Sequence, residues 1–161
     1  MTEIRLAYAS RSRIAADSAD MTDIQSAALR NNARLGVTGA LYYDGASFFQ
    51  VLEGPENAVA LLFDTIRKDR RHTEVALVCR HPIVTRMFML WSMKFVSGID
   101  HPQLAATFDA AAATAPSALA VDPRIEALRS DGRPPLTRPP RGPPGAPSRT
   151  RSRDPPAPEA P

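Results

Sequence analysis

Hydrophobic and polar positions along the first hundred residues change period several times, and each change predicts an element. Residues 3–10 alternate, with Ile4, Leu6, Tyr8 and Ser10 on one face, as a half-buried strand requires. After a polar, irregular stretch, Met21, Ile24, Ala28 and Asn32 recur at helical spacing. Asp20 is the expected N-cap of that helix, Asp23 sits in its first turn, and Gly36 is the expected stop just past Arg34. Residues 38–54, TGALYYDGASFFQVLEG, read as two strands around an Asp44-Gly45 turn. The second of these, residues 46–53, is apolar on both faces: Phe48 and Leu52 point one way, Phe49 and Val51 the other. One amide, Gln50, interrupts it on the Phe48/Leu52 side. Pro55 suits a first helical position, and Val59, Leu62, Phe63 and Ile66 form a helical stripe reaching about Arg70. Residues 74–80 predict a strand, with Val75, Leu77 and Cys79 opposite Ala76 and Val78 and Pro82 ending it. Residues 87–96 predict a fifth strand with Met89, Trp91, Met93 and Phe95 on one face.

The order β-α-β-β-α-β plus one strand is the split, ferredoxin-like pattern of an α+β fold with a mixed sheet. A strand apolar on both faces needs cover on both, and the first two helices can supply only one. The second cover is expected from helices over residues 102–114 and 122–130, the latter with Asp122 as cap. The expected organisation is a core over residues 1–98, capping helices over 99–130 and a tail over 131–161.

Composition changes the picture mainly at the tail. Eleven of the sixteen prolines, six arginines and three acids lie beyond Ser130. Residues 1–130 balance at 14 basic and 14 acidic side chains, so the basic character belongs to the tail and nucleic-acid binding by the core gains no support. The tail has four Pro-Pro pairs and almost no apolar anchors, and is expected to stay solvated with local polyproline II character. The single Cys79 excludes an intrachain disulfide and reads as a small buried residue. The N-terminus lacks the features of a signal peptide, and no run reaches the ~18–20 apolar residues of a membrane span, so a soluble cytoplasmic protein is expected.

Standard catalytic signatures (Walker loop, dinucleotide fingerprint, zinc-protease motif, nucleophile elbow) are absent, and His72, His81 and His101 have no metal spacing. Polar groups on apolar faces are more informative. Tyr8 and Gln50 sit mid-strand, and the ferredoxin-like pattern makes their strands central neighbours. Asn32 shares the buried helix face with Ile24 and Ala28, while Asn31 next to it could equally face solvent. Taken singly, Tyr8 could be a core tyrosine, Gln50 an amide tied to backbone and Asn32 a helix C-terminal cap. Together they place a phenol and two amides in a layer lined by Ile24, Phe48, Leu52 and Ile66. A planar, partly polar ligand between the helices would satisfy all three.

On those residues the chain resembles the BLUF family of flavin-binding blue-light sensors. The matching pieces are LAYAS at 6–10, NNAR at 31–34, VTGALYYDGASFFQVLEG at 37–54, IRKDRRH at 66–72 and P-I-x(7)-W-S-M at 82–93. The resemblance implies an FAD ring between the two helices, with FMN or riboflavin as the alternatives that make the same ring contacts. It implies that Asn32 bonds the O4/N3 edge with Asn31 beside it among the flavin-binding residues, that Gln50 bridges Tyr8 to N5/O4, and that Ile24, Phe48, Leu52 and Ile66 pack the ring. Asp69, Arg71 and His72 match the segment near the ring's outer end, although a charged helix end in solvent explains Arg71 as well. Light then draws an electron from Tyr8, and its acidic radical cation sheds a proton through Gln50, whose amide can donate and accept. A rotated or tautomerised Gln50 adds a hydrogen bond to the ring and shifts its absorption to the red, without substrate turnover. The signal is expected to leave through Trp91 and Met93 to an unknown protein partner, with a homo-oligomer implied by analogy. A small flavin reductase, or an interaction module without flavin, are the competing readings.

Overall fold

The computed structural model describes residues 1–15, 18–100, 102–112 and 122–130. Its elements run β1 (Glu3–Ser12), α1 (Ala19–Leu35), β2 (Thr38–Tyr43), β3 (Ser47–Pro55), α2 (Glu56–Lys68), β4 (His72–Pro82), β5 (Lys94–Ser97), α3 (Pro102–Ala112) and α4 (Pro123–Ser130). The five strands form one sheet in the order β4-β1-β3-β2-β5. All pairs are antiparallel except β2 with β5, which makes the sheet mixed, and the fold is the expected α+β one.

β1 and β3 are the central neighbours, in a register that sets Tyr8 directly opposite Gln50 and Leu6 opposite Leu52. Strand alternation then sorts the core into two layers. Ile4, Leu6, Tyr8, Leu41, Phe48, Leu52 and Met93 belong to the layer that faces α1 and α2, called here the front. Ala7, Ala40, Tyr42, Phe49, Val51 and Val96 belong to the back layer, which takes in Phe108 of α3 and Ile125 and Leu128 of α4. The expected second cover is therefore present over residues 102–112 and 123–130.

Local chemistry explains the element ends. Gly36 adopts φ 64°, and its N–H bonds the Ala33 carbonyl, which closes α1 as a left-handed cap. The N-cap is Ser18, whose side chain accepts from Met21 N–H, so the cap lies two residues before the expected Asp20. A serine hydroxyl caps as well as a carboxylate, and the polar stretch before it concealed that choice. Pro55 closes β3 and caps α2 rather than opening it.

Two expectations fail. The fifth strand is only Lys94–Ser97, and residues 83–93 are irregular. Their apolar residues do not share one face: Met93 is in the front layer, Phe88 and Trp91 are in the back layer, and Met89 is exposed. Irregular backbone lets successive apolar side chains dive to opposite sides, which imitates alternation in the sequence. Strand β4 also loses its simple parity, because its register with β1 shifts between Ala7 and Tyr8 and again between Ala9 and Arg11. Val75 packs at the front, Cys79 at the back, and Leu77 is exposed. Glu74, at φ 51°, occupies the second shift. The predicted tail, residues 131–161, lies outside the described residues.

Candidate functional site

The front layer brings the expected polar side chains together around Gln50. The Tyr8 hydroxyl donates to Gln50 Oε1 at 2.5 Å, and Gln50 Nε2 donates to Met93 Sδ at 3.6 Å. Tyr8 is fully enclosed and Gln50 and Met93 nearly so. The register explains the first contact: opposite residues of an antiparallel pair put their side chains on the same face. Met93 reaches Gln50 because β5 lies beside β2, which itself carries Leu41 opposite Gln50. Trp91 is on the other side of the sheet, where its buried indole Nε1 has no hydrogen-bond partner among the described residues. Spacing alone left these two residues equivalent, and the irregular backbone separates them.

Asn32 comes from the last turn of α1, on its buried face, and its Nδ2 donates to the Ser92 carbonyl at 2.8 Å. Asn31 is exposed, because adjacent helical residues point about 100° apart. Ile24, Phe48 and Leu52 are buried in the same layer, and Ile66 is half-buried against it.

His72 enters the front layer from the edge strand, its Nδ1 2.9 Å from Ser10 Oγ. Its ring lies 4.5 Å from that of Phe48 and 6.3 Å from that of Tyr8, centre to centre. Both register shifts in β4 are needed for this, since they restore the front-facing parity at Ser12–His72. Burial pushes the His72 pKa down, and Arg71 adds to that while Asp69 opposes it. Asp69 caps the end of α2, and Arg71 folds back on it with Nη2 to Oδ2 at 2.6 Å. That pairing holds the Asp69 carboxyl below its usual range. Arg71 is thus a partner of Asp69 in this structure. Phe63, 5.5 Å from Tyr8 between ring centres, and Ser10 were not among the expected site residues. Ser10 could have been found as the polar end of the Ile4-Leu6-Tyr8 face.

Burial raises the Tyr8 pKa strongly, and Asp69 adds to the effect, so the phenol is protonated throughout the physiological range. A neutral phenol hydrogen-bonded to an amide oxygen can lose an electron and pass its proton along the same bond. The amide then has to reorganise its remaining bonds. In the ground state it has one N–H aimed at a weak thioether acceptor and a second N–H still to give.

Whether a flavin fits can be judged from the helices. α2 approaches β1, β3 and β4 closely, whereas α1 makes no comparably close approach to the sheet or to α2 among the described residues. Leu29, Leu62, Phe63 and Ile66 pack on the front core yet remain only partly buried. Asn32 has its carbonyl oxygen and Gln50 its second N–H to offer at that place. Apolar walls with a donor and an acceptor at one edge match a flat ring with a polar rim, so the residues present fit the group.

Fold and site together define a ferredoxin-like α+β module with a tyrosine–glutamine pair beneath two helices. The family model for BLUF, sensors of blue-light using FAD, matches residues 4–94. The match takes in more than half of the chain, which belongs to the BLUF family of flavin-based blue-light sensors. A photoactivated adenylate cyclase subunit beta from Euglena longa is 40% identical over 83 residues, covering 52% of this chain and 10% of that protein. The chain therefore spans about a tenth of that curated relative. Among solved structures, BlrB, a BLUF protein in its dark state, aligns at TM-score 0.67 and 35% identity over 80% of this chain and 92% of that one. Klebsiella pneumoniae BlrP1 with FMN and cyclic diGMP aligns at TM-score 0.55 and 34% identity, over 59% of this chain and 26% of that one. No helix among the described residues is long and apolar enough to cross a membrane.

Proposed function

We propose that this chain senses blue light through Tyr8 and Gln50, with FAD as its chromophore and no substrate turnover. The observation that carries the reading is the Tyr8–Gln50–Met93 chain of contacts at the centre of the front face. When bound, a flavin supplies the absorber and an excited state that takes up an electron. Tyr8 is the electron donor, and its phenol proton moves to Gln50 Oε1 along the 2.5 Å bond. Gln50 then rotates or tautomerises, its bond to Met93 Sδ changes, and electron and proton return in the dark. Asn32 orients the polar edge of the ring, and Ile24, Phe48, Leu52 and Ile66 hold its faces. Asp69, Arg71 and His72 bound its outer end, with the Asp69–Arg71 pair as a closed unit.

Output passes from Met93 and the 83–93 connection to a protein partner or a second copy of the chain, in the cytoplasm. FAD is favoured by the family, and FMN is the alternative raised by the BlrP1 structure. The test is direct. The purified protein should be yellow, and blue light should shift its absorption reversibly to the red. Tyr8→Phe should keep the flavin and lose the shift, and a Tyr8→Phe variant that cycles normally refutes the mechanism. Chromatography of the flavin released by denaturation distinguishes FAD from FMN and riboflavin.

A further inference from the structure

The back layer contains one feature that hydrophobic packing does not require. Glu53 is fully buried in β3, and Arg5, opposite it in β1, is 6% exposed. Arg5 Nε and Nη2 both approach Glu53 Oε1, at 2.7 and 2.6 Å. A buried ion pair of this kind adds little net stability over apolar side chains of the same size, because desolvation offsets the attraction. The second carboxylate oxygen has another role. Glu53 Oε2 accepts the backbone N–H of Phe88 at 2.9 Å. Phe88 lies in the 83–93 connection, with its side chain fully buried in the back layer.

The connection is thus held at two ends by bonds of different kinds. Its first half is fixed mainly by charged groups, Arg86 to Glu3 and to the Gly36 carbonyl and Phe88 N–H to Glu53, beside one backbone bond from Ile83 N–H to the Glu3 carbonyl. Its second half is fixed by neutral groups next to the site: Trp91 carbonyl to Gly39 N–H, Ser92 carbonyl to Asn32, and Met93 to Gln50. Between them Met89 and Leu90 are exposed. We infer that Glu53 is a positioning residue for signalling. It anchors Phe88 in both light and dark, so that a change of bonding at Gln50 and Asn32 is expressed in residues 89–93 and not spread back along the connection. A charge-assisted bond is about twice as strong as a neutral one, so the Phe88 end holds when the Met93 end gives. Arg5 keeps the carboxylate aimed. The inference rests on the reading of Gln50 and Met93 as the switching end.

The experiment is residue-resolved amide exchange on the full flavin-loaded chain, in darkness and under continuous blue light, with the red shift recorded alongside. Two paired variants remove the buried charge without stranding a partner: Arg5→Met with Glu53→Gln keeps an oxygen for Phe88 N–H, and Arg5→Met with Glu53→Leu removes it. In the unmodified chain the Phe88 amide should stay protected in both states, while light speeds exchange only between residues 89 and 93. The Gln variant, which keeps only a neutral bond to Phe88 N–H, should fall between the unmodified chain and the Leu variant in Phe88 protection. The Leu variant should lose roughly tenfold or more of Phe88 protection, keep the red shift, and spread its light response over residues 83–93. A confined response in the Leu variant overturns the inference. If that variant does not fold, Glu53→Asp tests the same bond, since one methylene less withdraws the carboxylate from Phe88 while leaving Arg5 a counter-charge. An unmodified chain without a red shift instead defeats the photochemical reading. Phe88 protection in darkness then still decides whether Glu53 is an anchor.

Discussion

The two faces of the sheet are built from the same strands and treat their polar atoms in opposite ways. At the front, Gln50 makes a short bond to Tyr8 and a weak one to Met93, beneath a helix that stands off from the sheet. At the back, rings and paired charges of α3 and α4 cover the strands, beside a cavity lined by Ala9, Tyr42, Phe49, Phe108 and Arg124. Tyr42 stacks on Phe108 at 3.8 Å, Phe49 meets Phe108 edge-on, and Arg124 lies over Phe49 while paired with Asp122. Lys94 Nζ reaches the Leu128 carbonyl near the end of α4, where the helix dipole favours a cation. The difference teaches where freedom is kept. An amide with a choice of bonds needs neighbours that hold still, and the stacked rings and paired charges of the reverse side contribute to that.

The comparison can be broken first at the front. Gln50→Leu should remove the light-induced red shift altogether while leaving flavin bound, as read by difference spectroscopy, because leucine fills the volume but offers no atom to rebond. Next in size is Phe108→Ala at the back. It should cost about 3 kcal/mol of stability through loss of a buried ring, seen as a lower denaturant midpoint, and leave the red shift of the remaining folded protein unchanged. If the shift vanishes as well, the two faces are not separable in the way described.

Acidification sharpens the contrast with a smaller effect. The pKa of His72 is lowered from 6.5 by burial, so the unfolded chain takes up its proton more readily than the folded one. Its cost is absent above pH 6.5 and grows as pH falls from there toward the lowered folded value. Unfolding midpoints from pH 7.5 to 5 should therefore fall, and His72→Gln should flatten that part of the profile. The smallest effect belongs to neither face. Arg11→Ala breaks an ion pair with Glu74 whose partners are 65% and 69% exposed, and should change stability by less than about 0.5 kcal/mol.

The front site was legible in the sequence because period two is a strong rule. Ile4-Leu6-Tyr8 and Phe48-Gln50-Leu52 each state a face, and the split topology makes their strands neighbours. The 83–93 connection was not legible. MFMLWSM is apolar at every position but Ser92, as a buried strand would be, yet the backbone turns, and only contacts far along the chain decide that Trp91 goes to the back and Met93 to the front. His72 was placed by resemblance and not by pattern, since two register shifts in β4 have no signature in side-chain alternation. Glu53 and Arg5 were hidden for a simpler reason. Charged residues at strand positions are normally read as solvent-facing, and nothing local says that Phe88 of the 83–93 connection will reach them.

The cover of the back face has a consequence for how the protein is made. Phe49 and Val51 belong to a strand that ends at Pro55, but the residues that shield them, Phe108, Ile125 and Leu128, come much later in the chain. At ordinary translation speeds of ~5–20 residues per second, the aromatic back of the sheet waits for some seconds after β5 before α4 is synthesised. During that interval the newborn sheet has one greasy side and an open edge. The lysine at the start of β5, already in place, is then the landing point for the helix that ends the wait.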